Sequence, residues 1–284
     1  MQIIAWFFIA WLGACIGSFL NVVILRLHAG DSAARGRSYC PECHYTLEWY
    51  DLIPVVSFLM LGGQCRRCRK QISWQYPAVE VATAVLFIAA AVVLCSGLQY
   101  DPSQSLGAIG WYVLAQLVVW WVLLGFLVVL FVYDLRWMLV PDAVSIPAII
   151  LVIASQLLLQ HACPAGMLTT ACAGMAWTDM VLAATIGGGF FGLQYIVSRG
   201  RWVGSGDIAL GILAGCIVGW PAIIGVLFLA YMLGAVVSVP LLLGGKKQME
   251  SQVPFGIFLV PAIIVVMFYQ PQVVSLIERY LFIQ

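Results

Sequence analysis

The chain has 284 residues, 63% of them hydrophobic and only 9% charged, with 11 tryptophans; a soluble domain uses roughly 45–50% apolar and ~25% charged residues. Its 13 basic and 12 acidic side chains cannot cover that much apolar surface in water, whereas a bilayer accepts apolar helices whose backbone groups bond internally. The continuous apolar runs exclude a β-barrel, whose strands alternate in polarity, and a net charge of +1 speaks against a nucleic-acid partner.

The expected fold is therefore an all-α polytopic membrane protein. Runs of spanning length predict about eight transmembrane helices, at 2–25, 77–97, 111–133, 143–160, 179–197, 208–220, 222–243 and 254–270. The first lacks a basic n-region and is too long for the apolar core of a signal peptide, so it reads as a retained helix. The sixth is short and ends at Gly219-Trp220-Pro221, as a helix does that turns tightly into the next. With the N-terminus outside, the loops 26–76, 134–142, 198–207 and 244–253 share one side and hold every Lys and Arg except Arg279. The positive-inside rule makes that side cytosolic and puts both termini outside.

Between the first two helices lies the one stretch polar enough to fold in water, 26–76. The expected organisation is a first transmembrane helix over 1–25, a small cytosolic domain over 26–76 and a membrane domain over 77–284. The polar stretch carries Cys40-Pro41-Glu42-Cys43 and Cys65-Arg66-Arg67-Cys68. Two thiolates at this spacing bind a metal from one tight turn, and two such turns supply the four sulfurs of a closed zinc site. Disulfides are the competing reading, which a reducing cytosol disfavours, and an iron–sulfur or thiol-redox site is another. A domain this small has little core, so a metal staple suits it. Cys163 and Cys172 share an outer loop and carry no spacing signature that decides whether they pair. His28, His44 and His161 show no ligand spacing and read as polar loop residues.

Charges against a bilayer are expensive and need a function or a partner. Asp134, in Tyr133-Asp134-Leu135-Arg136, and Asp207, in Gly204-Ser205-Gly206-Asp207, both face the cytosolic membrane edge in the assigned topology. Two carboxylates brought together in a partly desolvated site share a proton, so that one serves as base toward water and the other as acid toward a carbonyl. The alternative is structural: Asp134 pairing with Arg136, and Asp207 capping the helix that follows. Spacing alone leaves both readings open. Asp142 and Asp179 read as caps of the helices they precede.

Taken together, these residues resemble the bacterial type IV prepilin peptidases, the leader peptidase/N-methyltransferases of pilus and type II secretion systems. The resemblance is carried by Gly17-Ser18-Phe19-Leu20-Asn21 with Arg26-Leu27, by the CxxC pairs with Asp51-Leu52-Ile53-Pro54 between them, and by Tyr76-Pro77-Ala78-Val79-Glu80. It continues through Asp134 with Leu139-Val140-Pro141-Asp142, the GxGD block ending at Asp207, and Pro254-Phe255-Gly256. The chain departs from many members at His28, Ala209 and Ile257, where they carry Pro, Lys and Pro. None of these replaces a catalytic group.

The resemblance implies a multi-pass enzyme of the bacterial inner membrane that cleaves the basic leader from prepilins or pseudopilins after the leader's terminal glycine. It implies Asp134 and Asp207 as the catalytic dyad of an aspartic peptidase, and zinc on Cys40, Cys43, Cys65 and Cys68. A second activity is implied too, N-methylation of the new N-terminus with S-adenosylmethionine. No glycine-rich dinucleotide fingerprint is present, so Asn21 and Glu80, polar groups at helix ends beside the cytosolic domain, are the candidates for that cofactor. Their alternative role is to pair with each other or with Arg26. Two rival functions are a peptidase that does not methylate, and a transporter with a regulatory zinc domain, which calls for acids near mid-membrane and an inverted repeat.

Overall fold

The computed structural model describes residues 2–32, 36–96, 106–161, 175–243 and 254–281. Cys163, Cys172, Lys246 and Lys247 lie outside the described residues. The helices are α1 (Gln2–Ala29), α2 (Val56–Met60), α3 (Gln75–Ser96), α4 (Leu106–Trp137), α5 (Asp142–His161), α6 (Trp177–Ser198), α7 (Ser205–Val218), α8 (Ala222–Leu243), α9 (Gly256–Phe268) and α10 (Gln270–Leu281). A single 3-10 turn, Trp49–Leu52, precedes α2. Extended pairing among the described residues is confined to two isolated bridges, Tyr39 with Thr46 and Gln64 with Gln71.

Each of the eight predicted apolar runs contains a helix among the described residues. Five helices, α1, α3, α4, α6 and α8, are long and apolar enough to cross a membrane, and α9 with α10 makes a sixth if that bent pair counts as one span. The last predicted run, 254–270, is not one straight rod, because α10 turns 93° away from α9. α10 is amphipathic and carries Glu278 and Arg279, so it has no reason to continue into lipid.

The chain divides into two compact units, Met1–Val92 and Val93–Gln284. In the first, α1 and α3 touch backbone to backbone. A Cβ on Gly13 would stand 2.7 Å from Ala84 Cα, and one on Gly17 would stand 2.7 Å from Glu80 Cα. Small residues permit such an approach where lipid gives helices no hydrophobic reason to associate. Beyond the end of α1 the Arg26 guanidinium donates to the carbonyls of Ser32, Gly36 and Arg37, fastening the chain as it enters the polar region.

In the second unit the fully buried side chains Leu124, Leu127, Leu130, Leu210, Leu213, Ile223, Leu259 and Ile263 form a core shared by α4, α7, α8 and α9. α7 has 14 residues, about 21 Å of helix, against a hydrocarbon layer about 30 Å thick. It is short because it is buried in protein. Leu210, Gly211, Leu213, Ala214, Gly215, Cys216 and Val218 are all covered, and a Cβ on Gly188 of α6 would stand 2.5 Å from Ile212 Cγ1. Its C-terminal carbonyls, which would otherwise lack donors, receive Gln270 Nε2 at Val218 O, 2.7 Å. The bend after α9 brings that donor back.

Candidate functional site

The four CxxC cysteines converge. Cys40 and Cys68 Sγ are 3.9 Å apart, Cys43 and Cys65 Sγ are 4.0 Å apart, and all four sulfurs lie within 4.8 Å of one another. A tetrahedral ion with metal–sulfur bonds of about 2.3 Å requires sulfur–sulfur separations of about 3.8 Å, so the set fits such an ion. The thiols are free in this structure. Both turns are built alike. Cys40 N–H donates to Tyr45 O and His44 N–H to Cys40 O; Cys65 N–H donates to Lys70 O and Arg69 N–H to Cys65 O, all at 2.9–3.0 Å. The residue after each second cysteine, His44 at φ 53° and Arg69 at φ 60°, takes the left-handed conformation that closes the turn.

Charged pairs hold the turns together. Lys70 Nζ lies 3.3 Å from Glu42 Oε1 of the other turn, and Arg66 grips Asp51 Oδ1 through Nη2 at 2.8 Å and Nε at 2.9 Å. The backbone N–H groups of Cys68 and Arg67 stabilise the Cys65 thiolate and bring its pKa down to about 7. That favours metal binding, since the ligand is the thiolate. His44 stacks on Tyr39, ring centroids 5.7 Å apart.

The aspartates come from different helices of the second unit, Asp134 from the end of α4 and Asp207 from the first turn of α7. Both are buried, and their carboxylates lie within electrostatic reach of each other. Asp134 does not turn to Arg136, whose guanidinium instead lies over the Trp137 ring at 5.2 Å. Asp134 Oδ2 accepts the backbone N–H of Ile257, 3.1 Å, at the start of α9, and the neighbouring residue must be glycine-sized. A Cβ on Gly256 would meet Asp134 Oδ2 at 2.6 Å and Cγ at 3.0 Å.

Asp207 reaches back over its own helix start. Its Oδ2 accepts Gly204 N–H at 3.0 Å while its N–H donates to Gly204 O at 3.2 Å, so Gly204, and not Asp207, is the cap residue. Gly206 faces the chain between α4 and α5, where a Cβ would stand 2.5 Å from Val140 Cβ. Each carboxylate is thus aimed by a backbone N–H through one oxygen. Beside them Phe255 packs on Phe191 and Tyr231, centroids 5.4 and 4.9 Å apart, and Tyr231 donates its hydroxyl to Gln194 Oε1, 3.0 Å. The role of Gly256 and Ile257 is not evident from sequence. The Pro-Phe-Gly block is visible there, its backbone contact with Asp134 is not.

Asn21 and Glu80 both lie buried in the first unit. Asn21 donates Nδ2 to Gly17 O and Tyr76 O and accepts Gln75 Nε2. Glu80 Oε2 accepts Val55 N–H at 2.7 Å, and its carboxylate also meets Ser18. Asp142 is the first residue of α5 and Asp179 lies in the first turn of α6, where Ala176 is the cap residue. Both acids favour the helix dipole from there.

Residues 11–94 match the bacterial peptidase A24 N-terminal domain, and residues 121–239 match the type IV leader peptidase family. The prepilin leader peptidase/N-methyltransferase of Myxococcus xanthus (strain DK1622) is 36% identical over 258 residues, covering 88% of this chain and 68% of its own length. The protein of the same name from Aeromonas hydrophila is 31% identical over 273 residues, covering 86% of this chain and 83% of its own. That from Bacillus subtilis (strain 168) is 28% identical over 264 residues, covering 93% and 94%. No solved structure matches the chain. With both of its halves matched in order and a relative this similar along most of its length, the chain belongs to the type IV leader peptidase family.

Proposed function

We propose that this protein is a multi-pass inner-membrane aspartic endopeptidase that removes the leader of prepilins or pseudopilins at the cytosolic face, with Asp134 and Asp207 as its dyad. The observation that carries the reading is a pair of buried carboxylates from α4 and α7 within electrostatic reach of each other, each held by a backbone N–H through Oδ2. One ionised aspartate takes a proton from water as it attacks the scissile carbonyl, while its protonated partner donates to the carbonyl oxygen. Return of a proton to the leaving nitrogen then breaks the C–N bond. No enzyme side chain becomes bonded to the substrate. Asp134→Asn and Asp207→Asn each abolish leader cleavage while the protein still inserts in the membrane; full cleavage by either variant overturns the dyad.

The same proposal puts zinc on Cys40, Cys43, Cys65 and Cys68, where the sulfur separations suit it. Zinc here supplies folding free energy to a domain with little core. Elemental analysis gives about one zinc per chain, lost in Cys65→Ser/Cys68→Ser; metal-free protein purified anaerobically contradicts it. With the basic loops cytosolic, both termini lie on the outer side.

We further propose N-methylation of the new N-terminus with S-adenosylmethionine, in line with the names of the relatives. Its site is placed in the first unit beside Asn21 and Glu80. Both side chains are already held by protein groups, so they shape the site more than they touch the donor. Mass spectrometry of processed pilin shows the mass of one added methylene; its absence leaves a peptidase alone. Glu80→Gln cleaves normally and methylates poorly, and full methylation by that variant removes Glu80 from the site.

A further inference from the structure

We infer that the segment Leu52–Met60 of the cytosolic domain is seated in the membrane itself, its apolar side chains in the headgroup and upper acyl region of the cytosolic leaflet. The inference needs α1 and α3 to span the bilayer, and it is independent of the peptidase reading.

Depth is fixed by three contacts inside the first unit. Val55 N–H, at the start of α2, donates to Glu80 Oε2 at 2.7 Å. Glu80 lies five residues into α3, about 7.5 Å below its start along the axis. Gly17 of α1 meets Glu80 Cα, and Gly17 precedes the end of the predicted first span at residue 25 by eight residues, about 12 Å. Both spanning helices therefore place Glu80 Cα inside the membrane boundary, and the Val55 amide is held one glutamate side chain away from it. Phe58 packs on Trp74, centroids 5.0 Å apart, which lays α2 against the entry to α3. Interfacial helices bury their apolar face by a similar depth, about 5–10 Å.

Composition agrees. From Leu52 to Gly63 there is no charged side chain and a single hydroxyl, Ser57, whereas the cysteine turn that follows carries Arg66, Arg67, Arg69 and Lys70. Leu59 and Met60 are not used inside the protein, being 67% and 83% exposed. Trp49 and Trp74, both largely exposed, flank the segment as interfacial tryptophans do. Several backbone groups of the segment bond internally, as lipid favours: besides Val55, Ser57 N–H donates to Ile53 O and Leu59 N–H to Val55 O. A water-facing loop has no reason to gather these features, and a phospholipid surface accounts for all of them.

The test uses the full wild-type chain in phosphatidylcholine/phosphatidylglycerol vesicles containing a lipid with a diazirine on its acyl chain. After irradiation, peptide mapping finds adducts over 52–60 as abundant as those on the lipid-facing Phe7 and Phe8 of α1, and none over 65–70. Labelled α1 with an unlabelled 52–60 stretch overturns the inference. Leu59→Glu combined with Met60→Glu lowers adducts on the segment about tenfold and leaves those on α1 unchanged; undiminished labelling counts against it. Excess hydrophobic helical substrate peptide leaves the adducts in place. If peptide displaces them, the face is a peptide berth and the inference fails.

Discussion

Gly256→Ala tests the proposed dyad without removing either carboxylate. The added methyl carbon would stand 2.6 Å from Asp134 Oδ2, 3.0 Å from its Cγ and 3.2 Å from Leu210 Cδ1. Ordinary carbon–oxygen contacts begin at about 3.3 Å, so Asp134 or the start of α9 must give way by about 0.7 Å, and Leu210 blocks part of the retreat. Such a displacement also strains the Ile257 N–H bond that aims the carboxylate. A misplacement approaching 1 Å at a reacting group lowers the rate by about 10²-fold. Alanine is a better helix former than glycine by about 1 kcal/mol, so the fold is partly compensated. In vesicles with a fluorogenic leader peptide, kcat falls by about that factor, KM changes little, and the melting temperature stays near wild type. Gly192→Ala is the control, because its added Cβ meets nothing within 4 Å. A Gly256→Ala enzyme of wild-type kcat would show that Asp134 does not act from this position.

Other outcomes follow from the same contacts. Gly206→Ala drives a Cβ to 2.5 Å from Val140 Cβ and shifts the turn bearing Asp207, so cleavage falls sharply; Val140→Gly in the same chain restores much of it, and failure of that rescue rejects the steric cause. Glu80→Ala strands the Val55 N–H, destabilises the first unit by about 1–3 kcal/mol, and exposes the chain at 52–60 to limited proteolysis; an unaltered melting curve refutes the clamp. In zinc-stripped protein the Cys65 thiol, whose pKa is lowered to about 7, reacts faster with iodoacetamide as pH rises through that value, since the thiolate is the nucleophile. A half-point at the ordinary thiol value of 9.0 contradicts backbone stabilisation of the thiolate.

Local chemistry was legible in the amino-acid order. Apolar runs marked every long helix because lipid forces the backbone to bond to itself, and Cys40, Cys43, Cys65 and Cys68 stood at metal-binding spacing because one tight turn presents two sulfurs. Basic residues marked one membrane face. The sixth run was legible as short, and its Gly219-Trp220-Pro221 ending as a tight turn. Its enclosure by neighbouring helices was not, since glycines at 188 and 211 mean close packing only when another helix presents its backbone to them.

The aspartates divide the two levels most clearly. Asp134 and Asp207 could be singled out as charges at a boundary, but spacing alone left open an Asp134–Arg136 pair and a helix cap at Asp207. Only the tertiary structure sent Arg136 to Trp137, brought Asp207 within electrostatic reach of Asp134, and set the backbone of Gly256 and Ile257 against the first carboxylate. Contacts between residues more than a hundred positions apart depend on how helices cross, and crossing is decided by side-chain volumes on both partners at once. Local rules of periodicity, charge and spacing therefore determine which segments enter the membrane and which residues carry chemistry, whereas helix packing determines which of those residues meet.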